Sequence, residues 1–201
     1  MSETEICQWA RKTEIERDYH DREWGVPQLD DRVLFEFVLL EGAQAGLSWL
    51  TILRRREGYR RVFHDFDPVR VAAMDEAEQA RALTDSGIIR NRAKVRSAVS
   101  NARAFLTIQQ SHGSFARYLW DFVDGCPLQG DRRTMADIPA RTELSDRIAK
   151  DLKQRGFSFM GSTIVYAHMQ ATGMVNDHVL NCPRHDAVAG LAGRVAGQLQ
   201  D

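Results

Sequence analysis

Apolar residues along this chain recur at three- and four-residue spacing and scarcely anywhere at alternate positions, so helices are the predicted elements. Val33 to Leu40 is apolar nearly all round, the pattern of a helix buried in a core. Asp67 before Pro68 reads as an N-cap followed by proline at the first helical position, where its missing N–H goes unnoticed. Asp75 with Glu78 repeats the cap signal one segment later. Val95, Val99, Ala102, Phe105 and Leu106 mark an amphipathic helix starting about Asn91. Leu144, Ile148 and Leu152 do the same, with Gly156 as the stop. A further segment, Ile164 to Gly173, begins after one glycine and ends at another. The predicted fold class is all-α. Gly125 to Pro139 is the most loop-like stretch, Ala187 to Gln200 reads as a frayed helical tail, and no internal repeat or low-complexity block is present.

Length and composition narrow this picture. A chain of 201 residues with 43% apolar content suits a single domain over 1–201 that buries a proper core. No stretch approaches the roughly 18 uninterrupted apolar residues of a membrane span. Met1 to Ala10 lacks a basic start and apolar centre, so a cytoplasmic protein is expected. The three cysteines, Cys7, Cys126 and Cys182, suit free thiols or metal ligands better than a disulfide framework.

A net charge of −1 does not by itself point to nucleic acid, but its distribution changes the reading. Arg90 to Arg103 holds Arg90, Arg92, Lys94, Arg96 and Arg103 with no acid, and Arg54, Arg55, Arg56, Arg60 and Arg61 are opposed only by Glu57. Either cluster alone reads as a solvated helix face.

Three constellations could carry chemistry. Cys7 and His20 lie early and His178 and Cys182 late; the last two, four apart, would leave one face of a helix together. Two cysteines and two histidines make a closed tetrahedral zinc set, although on ligand pattern alone ordinary core residues remain the better reading. The second is Tyr19 to Gly25 with Glu41 to Trp49. Tyr19, Trp24 and Trp49 could form a pocket that stacks a planar cation while Glu41 receives its N–H donors, although from spacing alone an aromatic core with a solvent-facing glutamate is the better reading. The third, Asp85 to Lys94, places a glycine turn at Gly87 ahead of basic residues at a helix start, where backbone N–H groups can meet a phosphate.

Taken in order, the motifs Cys7-Gln8-Trp9, Tyr19 to Pro27, Glu41 to Trp49, Gly87 to Lys94, Arg155-Gly156-Phe157, Tyr166 with Met169-Gln170, and Val175 to His178 resemble the 3-methyladenine DNA glycosylase I family. The resemblance runs from Cys7 to Cys182. It implies an all-helical fold of the helix-hairpin-helix glycosylase superfamily, with Gly87, Arg90, Arg92 and Lys94 meeting DNA through the hairpin. It implies a structural zinc on Cys7, His20, His178 and Cys182 that joins the two ends of the chain. Tyr19, Trp24, Glu41 and Trp49 correspond to a pocket for the damaged base, with Glu41 central to catalysis. The expected partner is double-stranded alkylated DNA, with no membrane and no obligatory protein partner. Two positions depart from the family pattern: Glu16 stands where a second tyrosine is usual, and Gln8 where glycine is usual.

The implied activity is hydrolytic release of 3-methyladenine from a flipped nucleotide, leaving an abasic site. Methylation at N3 makes the base a cation and a good leaving group, so the site has no need to protonate it. The superfamily's usual aspartate after the hairpin is characteristically absent from the family resembled. Two other readings stand beside this one: a metallohydrolase with catalytic zinc at His20 or His178, and a hairpin DNA-binding module without activity.

Overall fold

The computed structural model describes residues 6–193 and 195, and among these the chain is helical almost throughout. After a short 3-10 turn at Gln8–Arg11 come α1 (Glu14–Arg22), α2 (Asp31–Gln44), α3 (Trp49–Leu53), α4 (Arg56–Val62), α5 (Pro68–Ala72) and α6 (Glu76–Ala82). The second half holds α7 (Arg92–His112), α8 (Phe115–Asp121), α9 (Glu143–Gln154), α10 (Ser162–Ala171) and α11 (Pro183–Ala189). One two-residue parallel pair, Leu128–Gln129 with Val175–Asn176, interrupts the helices. It is too short to leave a periodic signal.

The helix starts follow local capping chemistry. The Asp67 carboxylate accepts from the Val69 and Arg70 N–H groups with Pro68 at the first position, and Asp75 with Glu78 closes a reciprocal capping box. Asn91 caps α7 by accepting from the Lys94 N–H. The frayed tail expected over 187–200 begins inside α11, and its last part, 196–200, lies outside the described residues.

The main core gathers around α2 and α7. Leu34, Phe35, Val38 and Leu40 of α2 meet Val95, Val99, Ala102 and Phe105 of α7, all buried. The Phe35 and Phe105 rings sit edge to face at 5.0 Å. Asp31, the first residue of α2, accepts from the Phe115 and Ala116 N–H groups at 2.8 Å each, so α2 and α8 are pinned end to end. A second, smaller cluster of Cys7, Tyr19, Trp24, Phe37, Ala171 and Cys182 lies where the first and last segments meet. The candidate residues converge there.

Candidate active site

Helix α2 carries two buried acids in contrasting surroundings. Glu36 accepts from Arg56 Nε at 2.6 Å and from Arg60 Nη2 at 3.4 Å. Glu41, on the last turns of the same helix, is 2% exposed and its Oε2 has no hydrogen-bond partner among the described residues. Burial alone pushes its carboxyl from 4.5 up to about 8. An unpartnered buried carboxylate weakens the fold, so its position calls for a functional explanation. The solvent-facing reading of Glu41 is thereby removed.

Glu41 opens onto a cavity of about 270 Å³ walled by Trp9, Tyr19, Trp24 and Trp49. Tyr19 comes from α1, whose start is fixed by the Thr13 hydroxyl accepting from the Glu16 N–H. Trp49 opens α3, where the Ser48 hydroxyl accepts from the Thr51 N–H. The Tyr19 and Trp49 rings lie 5.3 Å apart, and Trp9 meets Trp24 edge to face at 5.2 Å. The Trp49 indole N–H is also buried without a partner among the described residues. Burial, then the Glu41 and Glu23 carboxylates, hold the Tyr19 phenol well above its ordinary range, so it stays protonated. The cavity thus offers flat apolar walls, an orphaned acceptor and an orphaned donor, the features of a site for a planar ligand with N–H groups. A larger groove of about 690 Å³ between α6 and α7, lined by Asp75, Glu76, Arg92 and Arg96, mixes both signs of charge.

Cys7, His20, His178 and Cys182 are all buried, and their ligand atoms lie within 4.8 Å of one another. Cys7 Sγ and Cys182 Sγ each stand 3.7 Å from His178 Nδ1, and Cys182 Sγ stands 3.5 Å from His20 Nε2. A tetrahedron with metal–sulfur bonds of about 2.3 Å and metal–nitrogen bonds of about 2.0 Å has mixed edges of about 3.5 Å. The donor set therefore fits a four-coordinate ion. Each imidazole is held from behind: His20 Nδ1 lies 2.7 Å from Asp21 Oδ1, and His178 Nε2 lies 3.0 Å from the Trp24 carbonyl. That second bond needs glycine at position 25, where φ is +82° and a Cβ would come within 3.1 Å of His178 Nε2.

One expectation is corrected here. His178 and Cys182 do not share a helix face, because α11 begins only at Pro183, with Cys182 as its N-cap. A turn from the Cys182 N–H to the Val179 carbonyl, 2.7 Å, brings them together instead. Proline at the first helical position sets where that helix starts. Trp24 stands 4.5 Å edge-on to His178 while also lining the cavity, so it joins the metal-ligand cluster to the pocket wall.

The third constellation forms a turn between α6 and α7. Gly87 packs so closely on α4 that a Cβ added to Gly58 would overlap the Gly87 carbonyl. The Asp85 carboxylate accepts from the Gly87 N–H at 2.7 Å and from Arg61; the Gly87 bond first, then Arg61, hold it below the usual carboxylate range. The Ile89 N–H donates to the Tyr59 hydroxyl at 3.2 Å. Arg90 and Arg92 are exposed at the tip. Lys94 is placed differently from a free phosphate ligand: its Nζ donates to the Ala43 and Ala45 carbonyls at 2.8 Å each, closing the C-terminal end of α2. The Arg54–Arg61 cluster is largely engaged in ion pairs, with Arg56 on Glu23 and Glu36 and Arg61 on Asp85.

Several residues at the site were given no role by the sequence, although all but Arg132 lie in the motifs that carry the resemblance. Gln170 lines the cavity, and its amide donates to Asp177 Oδ2 at 2.9 Å, an oxygen that also accepts from Tyr166. Arg132 completes this buried network through Asp177 Oδ1 at 2.9 Å. Leu47, 40% exposed, sits on the short turn between Gln44 and Trp49, both of which line the cavity. These roles depend on contacts between distant segments.

The fold and site define a helical protein with an aromatic cavity around a buried carboxylate, beside an arginine-bearing turn. A family model described as methyladenine glycosylase matches residues 9–185. The chain belongs to that family. It is 49% identical over 178 residues to DNA-3-methyladenine glycosylase 1 of Escherichia coli, covering 89% of this chain and 95% of that protein. A crystal structure of 3-methyladenine DNA glycosylase I superposes with a TM-score of 0.88 at 50% identity, covering 90% of this chain and all of that one. A variant of 3-methyladenine DNA glycosylase I in complex with 3-methyladenine superposes with a TM-score of 0.87 at 36% identity, over 89% of this chain and 96% of that one.

Proposed function

We propose that the protein is a base-excision-repair glycosylase that flips 3-methyladenine out of alkylated duplex DNA and hydrolyses its glycosidic bond, leaving an abasic site. The observation that carries this reading is Glu41, a buried carboxylate with an unpartnered oxygen in an aromatic cavity. The proposal is supported by family membership and by a relative solved with 3-methyladenine bound.

Trp49, Tyr19 and Trp24 surround the ring, where aromatic faces attract a cation by about 0.5–2 kcal/mol. Glu41 releases its proton to solvent as the cation enters and then accepts an N–H bond, which in a water-poor cavity is charge-assisted. The N9–C1′ bond then breaks, its electron pair neutralises the departing base, and water adds to C1′ with loss of a proton to solvent. Glu41 acts by position and charge, because the methylated base leaves without an acid. On the duplex, the Gly87 turn with Arg90 and Arg92 meets backbone phosphates. Lys94 supports that surface from behind through its bonds to the end of α2. Leu47 is suited to occupy the gap left by the flipped nucleotide.

We assign the cluster Cys7, His20, His178 and Cys182 to a structural zinc. Bound there, zinc would supply a cross-link between the first and last segments of the chain and keep the Trp24 wall in place. Four protein ligands leave no position open for a reacting water, which argues against the metallohydrolase reading. The test is base release from methylated duplex DNA with and without a chelator. Prompt, chelator-resistant appearance of 3-methyladenine supports the proposal. Immediate loss of turnover on chelation would indicate catalytic metal, and no release at all would indicate a binding module.

A further inference from the structure

The base cavity has a second polar wall, on α10. Ala167 and Gln170, three residues apart and so on one face of that helix, both line it. The Gln170 amide is held from behind: its Nε2 donates to Asp177 Oδ2 at 2.9 Å, and Asp177 is 1% exposed. The same Oδ2 accepts from the Tyr166 hydroxyl at 2.5 Å, and Oδ1 accepts from Arg132 Nε at 2.9 Å. Three donors thus converge on a carboxylate that receives hydrogen bonds and gives none. An unrestrained glutamine amide can turn over and offer a ligand either its oxygen or its NH2 group. Turning Gln170 would set its oxygen against the Asp177 carboxylate, two acceptors face to face in a buried place. The amide is therefore locked. Its Oε1, which makes no hydrogen bond among the described residues, is the polar atom left for whatever fills the cavity.

Glu41 does not by itself tell a 6-amino purine from a 6-oxo purine. Its carboxyl, pushed up to about 8 by burial, donates when protonated and accepts when ionised. A locked Oε1 only accepts. The 6-amino group of 3-methyladenine has two N–H donors, one for each of these residues. The 6-oxo group of a methylated guanine has none and would face Oε1 with another acceptor. A site built to receive a donor rejects an analogue that lacks it, because the site's own polar group is left unpaired.

We propose that Gln170 Oε1 accepts the second 6-amino N–H of flipped 3-methyladenine, and that Asp177 is the positioning residue that fixes this acceptor and so turns the cavity against 6-oxo bases. This rests on the reading of the cavity as a base pocket. Asp177 does not line the cavity, so its effect on base preference passes through Gln170. In Asp177→Asn the carboxamide oxygen stays with Arg132 and its NH2 group replaces Oδ2, so Gln170 turns over and presents its own NH2 group to the base.

The experiment uses the full chain on duplex DNA treated with methylnitrosourea, which carries both 3-methyladenine and 3-methylguanine. Released bases are separated by chromatography and corrected for enzyme-free loss, and each variant's zinc content is measured because Asp177 adjoins His178. Native protein should release 3-methyladenine in preference. Asp177→Asn should raise the ratio of 3-methylguanine to 3-methyladenine release rates at least tenfold. Gln170→Leu, which removes the acceptor, should slow 3-methyladenine release at least tenfold and 3-methylguanine release less than threefold. Rates for the two bases that fall in parallel in both variants overturn the proposal, since a merely structural role predicts that result. A native rate and ratio in Gln170→Leu overturn it too. If Asp177→Asn loses zinc or fails to fold, Gln170→Leu decides alone. Release of neither base by native protein overturns the base-pocket reading itself.

Discussion

Replacing Glu41 by glutamine separates its contribution to stability from its contribution to activity, because the two move in opposite directions. In the folded protein burial raises the carboxyl from 4.5 to about 8, while the unfolded chain ionises near the ordinary value. The folded state therefore holds a proton that the unfolded state has released, and stability is lost as pH rises from about 4.5 to about 8. At 1.4 kcal/mol per unit the full penalty is on the order of 5 kcal/mol above pH 8, with roughly 3 kcal/mol of it expressed at pH 7. Both are upper values, since cavity water solvates part of the charge. Glu41→Gln keeps the shape and removes the ionisation, so its denaturation midpoint should exceed that of native protein at pH 8.5 and match it near pH 4.5. Excision should move the other way. Losing a charge-assisted hydrogen bond of about 1.5–3 kcal/mol slows kcat/KM by roughly 10- to 100-fold. Native kcat/KM should also fall as pH drops from 8 to 6, tracking the free enzyme's carboxyl, while the variant's profile stays flat. Urea denaturation at the two pH values and excision under subsaturating conditions measure both effects. A variant that is no more stable at pH 8.5 and excises at the native rate would refute the reasoning on both counts.

Other changes probe the rest of the molecule. Cys182→Ser should remove bound zinc from purified protein and lower Tm by about 10 °C or more, because a metal closing the first segment onto the last stabilises by at least several kcal/mol; full stability without metal would contradict the structural role. Arg90→Glu with Arg92→Glu should weaken binding to every duplex and flatten the salt dependence by roughly 0.9 for each phosphate no longer neutralised, as read by anisotropy titrations. Lys94→Met should leave that salt slope unchanged and slow excision, since its ammonium holds the Ala43 and Ala45 carbonyls, and a reduced slope would return it to the phosphate-binding surface. Gly58→Ala, whose Cβ overlaps the Gly87 backbone, should destabilise the fold by several kcal/mol in thermal melts, whereas a near-native Tm would show that the turn can move aside.

Local chemistry made much of the helical framework legible. Caps at Asp67 and Asp75 lie where their side chains do accept backbone N–H groups, and the helix expected from about Asn91 starts there, since capping is decided within three residues. The His178–Cys182 spacing misled for the complementary reason: four residues predict a shared face only inside a helix, and the helix starts at Pro183, after both of them. Glu36 and Glu41 lie on one apolar helix and could not be ranked by spacing. The difference between them is Arg56, which reaches Glu36 from α4 and leaves Glu41 alone. Lys94 reads as a surface cation because its carbonyl partners belong to a helix end about fifty residues away in the chain. The motifs that carried the family resemblance do converge, with Tyr19, Trp24, Glu41 and Trp49 on one cavity and the four ligand residues beside it.

The most direct measurement of the central claim, that the unpartnered Glu41 oxygen receives the damaged base, is a crystal structure of the native protein with 3-methyladenine bound. The account predicts the base inside the cavity of about 270 Å³, an N–H nitrogen about 2.7–3.2 Å from the Glu41 carboxylate, and the ring against Trp49. A base bound elsewhere, or held in the cavity with Glu41 still unpartnered, would contradict it.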